Sequence, residues 1–232
     1  MPQQERAVHT RHTLVLTAAT LFEQRGFART RLSEVSSHAG VSSGALHFHF
    51  ASKDVLANVV QEYSAATLHR AASDARDRSD DALQGLVDIT HAVAARLNTD
   101  VVARAGLLLD WDAAWEGGHR LGEEWRDCVR AELLTARAEG ALADEVSLAD
   151  IEVSVVAVTT GFEALARQDP TWLSHQPLTG FWRLMLPQIT APAWTAPTDP
   201  AGAPVHRQER EEAAPRRALA AAGSNIGSYQ VS

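Results

Sequence analysis

The chain has 232 residues, of which 45% are hydrophobic, so it can bury the core of one large domain or two small ones. Its single cysteine, Cys128, excludes a disulfide framework and favours a reducing compartment. The sequence has no apolar leader and no run of about 18 apolar residues, which argues against secretion and against a membrane span. We therefore expect a cytoplasmic protein without a membrane partner.

The net charge of −8 is unevenly distributed. Residues 1–53 hold six basic and three acidic side chains and five of the ten histidines, whereas the remainder is strongly acidic. A weakly basic head on an acidic body indicates that only the head meets a polyanion such as DNA. The acidic body disfavours a protein that coats nucleic acid along its whole surface.

The first predicted helix spans residues 8–24, after a loose arm at residues 1–7. Apolar side chains recur there at helical spacing, at Leu14, Ala18, Leu21 and Phe22. Gly26 follows as a helix stop, because glycine is common just beyond a helix C-terminus.

Three more helices complete the head and begin the body. Thr30 is predicted to cap a short helix over residues 31–39, which ends at Gly40. Ser42 or Ser43 caps the next short helix.

The third predicted helix, which Ser42 or Ser43 caps, reaches about His49. Ser52 caps a longer fourth helix over about residues 53–73.

The body is predicted to be helical as well. Periodicity places its helices at about 81–98, 101–115, 120–139, 148–167 and 171–187. Alternation typical of strands is almost absent, so the sequence predicts an all-α protein. We expect a head at residues 1–53, a body at residues 54–190, and a disordered tail at residues 191–232, which hold five of the nine prolines.

The two short helices of the head have the spacing of a helix-turn-helix. Gly40 can adopt the positive φ that a sharp turn requires, and Leu46 and Phe50 would face inward. The residues left to face outward are Ser43, Ala45, His47 and His49. In this geometry the second helix of the motif enters the major groove of DNA.

The stretch "GFARTRLSEVSSHAGVSSGALHFHFASKDVL" resembles the DNA-binding head of the TetR family of repressors. The resemblance implies a three-helix DNA-binding head followed by a helical body that binds a ligand and dimerises. Within that family, "GALHFHFASK" and the later "LLTARAEGAL" are similar to the γ-butyrolactone receptors of actinomycetes and their pseudo-receptor relatives.

Three positions depart from the family pattern. Ser43 stands where the receptors commonly have lysine, His47 where they have tyrosine, and Arg31 where they have threonine or serine. These changes alter the phosphate and base contacts that the head offers, so we expect an operator preference that differs from that of close relatives.

The resemblance implies DNA contacts from the helix-turn-helix. Lys53 corresponds to a phosphate-clamping lysine, and Gly44 and Ala45 would approach base edges. The expected DNA-contacting set is Thr30, Arg31, Ser42, Ser43, Gly44, Ala45, His47, Phe48 and Lys53.

Several of these residues have a purely structural alternative. Thr30 and Ser42 are equally well explained as helix caps alone, and His49 as a packed histidine. Phe48 is either a core residue or a contact to phosphate or sugar. A metal site at His47 and His49 is disfavoured, because residues two apart on a helix point to different faces.

Helix 148–167 carries two apolar faces, which fits burial against its own body and against a partner. On helix 148–167 the two sets are Leu148, Ile151, Val155, Val158, Phe162 and Leu165, and Val153, Val156, Ala157 and Ala164. Helix 171–187 adds Leu178, Phe181, Trp182, Met185 and Leu186. The resemblance implies a homodimer through a four-helix bundle, and the alternative is that both helices are internal.

The resemblance also implies a small-molecule site. Trp125 corresponds to a pocket tryptophan, Thr159 to a hydrogen-bond partner of the ligand, and Trp111 and Trp115 would share a helix face. Further lining is expected from Gln61 or Glu62, Leu86, Ile89, Leu108, Val129, Leu133, Val155 and Phe162. Plain core packing, with the Thr159 hydroxyl bonded to its own helix, is the alternative.

Three functions therefore remain open. The first is a repressor that binds a palindromic operator as a dimer and is released by a γ-butyrolactone-type or antibiotic-like molecule. The second is a DNA-binding regulator without a ligand. The third is a helical enzyme. The enzyme is disfavoured, because the sequence contains no P-loop, HExxH, GxSxG or CxxC motif. The carboxylates Asp110, Asp112, Glu123 and Glu124 are interpreted as solvated charges, and no cofactor or metal is expected.

Overall fold

A computed structural model of the chain describes residues 3–115 and 117–203. In these ranges the backbone is helical throughout, apart from turns and one isolated bridge between Leu142 and Thr190, which confirms the all-α prediction. The α-helices are α1 (Gln3–Arg29), α2 (Leu32–His38), α3 (Ser43–His49), α4 (Lys53–Arg76), α5 (Ala82–Thr99), α6 (Val101–Trp111), α7 (Leu121–Ala138), α8 (Leu148–Ala166) and α9 (His175–Ile189), with a short 3-10 helix at Pro170–Leu173.

Several helix limits differ from the sequence prediction. Helix α1 runs to Arg29 rather than to residue 24, and α9 spans His175–Ile189 rather than 171–187. The loose arm expected at residues 1–7 is helical from Gln3 onward, so that prediction is wrong over the described part. Helix α6 ends at Trp111 rather than at residue 115, because Asp112 takes an extended backbone conformation (φ −80°, ψ 108°).

The chain folds into two compact units that do not follow the predicted boundary at residue 53. Unit 1 contains the described residues up to 67 together with those from 100 to 121. Unit 2 contains residues 68–99 and the described residues from 122 onward. Helix α6 and the loop after it therefore belong to the same compact unit as the predicted DNA-binding head.

The core of unit 1 joins the three helices of the head to α4 and α6. Leu46 and Phe50 are almost completely buried, as predicted for the inward side of the third helix. Their cluster includes Leu14 and Phe22 from α1, Val35 from α2, Leu56 and Val60 from α4, and Leu109 from α6. This burial fixes the orientation of α3, so its remaining side chains must face outward.

The core of unit 2 is built around the fully buried Trp182 on α9. Its indole Nε1 donates to the Thr90 hydroxyl of α5 at 2.8 Å, which satisfies the one polar atom that this large side chain buries. Leu86, Val129, Leu133 and Val155 surround it in the same apolar cluster.

Residues 191–203 have a defined place in unit 2, which differs from the disordered tail expected from residue 191 onward. The Ala191 N–H donates to Ala141 O at 2.8 Å, and the Ala203 N–H donates to Asp88 Oδ1 at 2.7 Å. His91 Nε2 donates to Pro200 O at 3.1 Å. Residues 204–232, to which the same expectation applied, lie outside the described residues.

We expect acid to release the segment at Pro200–Ala203. Burial is the main cause that lowers the pKa of His91 below its ordinary value of 6.5. His175, whose ring centre lies 4.6 Å from that of His91, lowers this pKa further. The hydrogen bond to Pro200 and the carboxylates of Asp88 and Asp199 oppose the shift. Because the pKa of His91 is lowered in the packed state, the segment has its full stability above pH 6.5 and loses stability as the pH falls below that value.

Amide hydrogen exchange at Ala203 tests this, measured at about pH 7.5 and about pH 5.5 and corrected for the intrinsic rate. Protection at Ala203 should fall at the lower pH, while the amide of Val155 in α8 stays protected. Equal protection of Ala203 at both values would show that His91 does not govern the segment.

Candidate nucleic-acid interface and effector site

The turn between α2 and α3 is built by Gly40. Its φ of 67° lies in the left-handed region that favours glycine. The Gly40 N–H donates to Ser37 O at 3.2 Å and the Val41 N–H to Ser36 O at 3.0 Å, which is the double hydrogen bond of a Schellman ending. The turn therefore ends α2 and sends the chain into α3 after two residues.

The start of α3 is capped and exposed. The Ser42 hydroxyl accepts from the Ala45 N–H at 3.1 Å, so of the two predicted caps Ser42 is the one used. Ser42, Ser43 and Gly44 are exposed, and Ala45 is half-buried. These four residues form a small-side-chain surface that a nucleic-acid backbone or base edge can approach closely.

The far end of α3 presents an exposed aromatic side chain. Phe48 is 83% exposed, so its interpretation as a core residue is wrong. His47 beside it is exposed too. His49 is half-buried, and burial first and the Arg11 guanidinium second lower its pKa, which agrees with the interpretation of a packed histidine.

Thr30 does not cap α2, so that prediction is wrong. Arg31 occupies the capping position, and its N–H donates to the Glu34 carboxylate at 3.0 Å. Thr30 is only 1% exposed, and its hydroxyl donates to Gly26 O at 2.9 Å. Its side chain is thus used inside the head rather than offered to a phosphate, whereas Arg31 is exposed at the start of α2.

Lys53, the only lysine of the chain, begins α4 at the place predicted for it. Its Nζ donates to Phe27 O at 2.9 Å and lies 4.0 Å from the centre of the Phe27 ring. Ser52 caps the helix by accepting from the Val55 N–H at 3.2 Å. The ammonium group is therefore held in one place at the edge of the head.

Two residues of this region were not recognised from the sequence. Phe27 holds Lys53, and Asp112, interpreted as a solvated charge, instead accepts a hydrogen bond from the Phe27 N–H at 2.8 Å. The Gly26-Phe27 break in the first helix was the available signal, but no pattern linked it to a residue 85 positions later.

The structure brings together the two effector residues that the resemblance singled out. Trp125 on α7 donates its indole Nε1 to the Thr159 hydroxyl of α8 at 2.9 Å. That hydroxyl in turn donates to Val155 O, one turn earlier, at 2.8 Å, as the structural alternative described. Both side chains are half-buried.

The other predicted lining residues of unit 2 are mainly core. The buried ones are Leu86, Ile89, Val129, Leu133 and Val155. Phe162 is half-buried and stacks on Trp172 with 5.7 Å between ring centres.

Three predicted lining residues lie in unit 1. Gln61 is fully buried and accepts from the Trp115 indole N–H at 3.0 Å, and Leu108 is half-buried. Trp111 is 62% exposed at the end of α6, while Trp115 lies in the following loop. The prediction that Trp111 and Trp115 share a helix face is therefore wrong.

The described part of the chain contains no group of three or more His, Cys, Asp or Glu side chains that could hold a metal ion. Across the same ranges, none of the helices is both long and apolar enough to cross a membrane.

Among known proteins, one family model matches the head alone, and a relative matches nearly the whole chain. The family described as "Bacterial regulatory proteins, tetR family" matches residues 14–60. The A-factor receptor protein of Streptomyces griseus is 30% identical over 97% of this chain and 82% of its own length.

Solved structures give the same assignment. A crystal structure of a gamma-butyrolactone receptor (ArpA-like protein) superposes with a TM-score of 0.68 at 28% identity, over 95% of this chain and 99% of that one. The TetR family protein CprB from Streptomyces coelicolor, in complex with its biological operator sequence, superposes with a TM-score of 0.69 at 25% identity, over 97% of this chain and 100% of that one.

We predict that replacing Ser42 with alanine destabilises the head, whereas the same change at its neighbour Ser43 does not. Ser42→Ala removes the cap of α3 and should lower the free energy of unfolding by about 1 kcal/mol. Ser43→Ala changes an exposed side chain and should stay within about 0.5 kcal/mol. Urea denaturation followed by circular dichroism measures both, and equal effects would contradict the capping role.

Proposed function

Because the chain belongs to the TetR family of bacterial regulatory proteins, we propose that it is a ligand-responsive transcriptional repressor. It binds a palindromic operator as a homodimer and is released by a small lipophilic molecule. The observation that carries this proposal is the exposed face of α3, where Ser43, Gly44, His47 and Phe48 project from a helix whose opposite face is buried.

DNA binding rests on the shape and charge of the head. A helix-turn-helix places its second helix in the major groove, and α3 exposes small residues at its start and an aromatic side chain at its end. Arg31 and Lys53 lie at the starts of the flanking helices α2 and α4, where they can contact phosphates on either side of the groove. The complex of CprB with its operator supports the same use of this fold.

A dimer is required because α3 has only seven residues and reads few bases alone. Helices α8 and α9 supply the apolar surface for it. Val153 and Leu184 are 65% and 76% exposed, and Ala157 and Ala164 are exposed on the same face of α8 as Val153. Exposed apolar side chains on two neighbouring helices mark a protein–protein surface, and we assign this one to the second copy of the chain.

The effector site is proposed around Trp125 and Thr159. An indole N–H and a hydroxyl within a largely apolar cluster are the few convergent polar groups typical of a small-molecule site. The A-factor receptor and the gamma-butyrolactone receptor support a lactone-type effector, and an antibiotic-like molecule is the other class that fits. Binding releases DNA only if the effector has different affinities for the two forms of the dimer.

The second candidate function is a DNA-binding regulator without an effector. The core positions of Leu86, Ile89 and Val129 favour it, because these side chains are already packed by protein. Catalysis is not proposed, since the matched relatives are transcription regulators. We place the protein in the cytoplasm, where its operator is.

A gel shift on the DNA upstream of its own gene tests the proposed function. The protein should retard this DNA, and one of a panel of γ-butyrolactones and antibiotics should release it. Retardation that no compound reverses would favour the regulator without an effector. Absence of any sequence-specific retardation would contradict the repressor.

We predict that Lys53→Ala weakens operator binding and makes it less sensitive to salt. Each phosphate contact contributes about −0.9 to the slope of log affinity against log salt, so the loss of one contact per head should make the slope of a dimer shallower by about 1.8. Fluorescence anisotropy of labelled operator at several salt concentrations measures this.

The control for that measurement is Arg70→Ala, which removes an exposed positive charge from α4 in unit 2. It should leave the slope unchanged. A Lys53→Ala slope equal to that of the wild-type protein would exclude Lys53 from the phosphate contacts.

A further inference from the structure

The first helix is interrupted where the head meets the loop after α6. Gly26 has a φ of 77° and a ψ of 167°, so the peptide that follows it leaves the helical direction. The Phe27 N–H donates to Asp112 Oδ2 at 2.8 Å. The positive φ favours glycine at position 26, and a Cβ there would lie 3.2 Å from that same oxygen and crowd the carboxylate.

Asp112 also folds its own loop. Its Oδ1 accepts from the Ala114 N–H at 3.0 Å, and its carbonyl oxygen accepts from the Trp115 N–H at 2.9 Å. This turn places the Trp115 ring 4.9 Å from the Phe27 ring. The fully buried Gln61 fixes that indole by accepting from its N–H at 3.0 Å. The loop thus holds Phe27 by its backbone and by its ring.

Phe27 in turn holds Lys53. The Lys53 ammonium donates to Phe27 O at 2.9 Å and lies 4.0 Å above the Phe27 ring, a distance at which a cation is attracted to the aromatic face. An ammonium has three N–H donors, and the carbonyl uses one of them. The other two remain for a phosphate, in a direction that Phe27 determines.

From these contacts we propose that Asp112 and Trp115 are positioning residues for operator binding, which act on DNA through Phe27 and Lys53. The proposal rests on the proposed function, because Lys53 needs a phosphate to contact. It makes the end of α6 part of the DNA-binding apparatus. A displacement of the α6 loop within unit 1 moves the carboxylate that holds Phe27, and with it the ammonium, without any change in α2 or α3.

Simple electrostatics predicts the opposite outcome for the obvious mutation. Removing a negative charge from a DNA-binding unit should strengthen its attraction to DNA. If Asp112 acts by position, Asp112→Ala should instead weaken operator binding, by about five- to tenfold, and make its salt slope shallower in the manner of Lys53→Ala. Asp112→Asn keeps one oxygen that can accept from the Phe27 N–H but loses the acceptor for the Ala114 N–H, so it should bind operator more tightly than Asp112→Ala.

The test is a double-mutant cycle for operator affinity between Asp112→Ala and Lys53→Ala, measured by fluorescence anisotropy. In the Lys53→Ala background, Asp112→Ala should change affinity by less than about twofold, because its route to the DNA is gone. Ala113→Ser, next to Asp112 and exposed, is the matched control and should bind like the wild-type protein. If Asp112→Ala unfolds at the assay temperature, the same cycle is run with Trp115→Leu.

Three results would overturn the proposal. They are wild-type affinity in Asp112→Ala, an equal weakening in both backgrounds, and a failure of Asp112→Asn to restore binding. Failure of the proposed function looks different, because the wild-type protein itself would then show no sequence-specific binding, and the positioning role would fall with it.

Discussion

The burial of Leu46 and Phe50 is the constraint on which the rest of the head depends. These two side chains, one helical turn apart, anchor α3 against α1 and α4, so the helix cannot rotate without exposing them. Exposing one such side chain costs about 1.5–3 kcal/mol. Phe48, between them in sequence, is forced outward by the same geometry, and an exposed aromatic side chain on a locked helix is a surface prepared for another molecule.

A second constraint links the head to a distant part of the chain. Helix α6 and its loop belong to the same compact unit as the helix-turn-helix. The reason is local chemistry: the broken helix at Gly26 leaves the Phe27 N–H in need of an acceptor, and the carboxylate of Asp112 supplies it. A domain boundary at residue 53 would separate Phe27 from Asp112, which a hydrogen bond joins.

Much of the head could be predicted from the sequence because its determinants are local. The glycine at position 40 and the serine caps at Ser42 and Ser52 act within a few residues, and periodicity identifies Leu46 and Phe50 as inward. A threonine before a helix is typical of a cap, but the Thr30 hydroxyl donates to Gly26 O in α1 instead. The role of Asp112 depends on a contact with Phe27, which is distant in sequence, and the exposure of Trp111 depends on where α6 ends. No short sequence pattern encodes either.

The central claim is that the exposed face of α3 lies on DNA, and a photo-crosslinker tests it most directly. Phe48 on α3 and Leu184 on α9 are comparably exposed apolar residues, at 83% and 76%. With p-benzoylphenylalanine at position 48, irradiation in the presence of operator should yield a protein–DNA adduct. The same group at position 184 should yield a crosslinked protein dimer and no DNA adduct. DNA adducts from position 184 and none from position 48 would contradict the account.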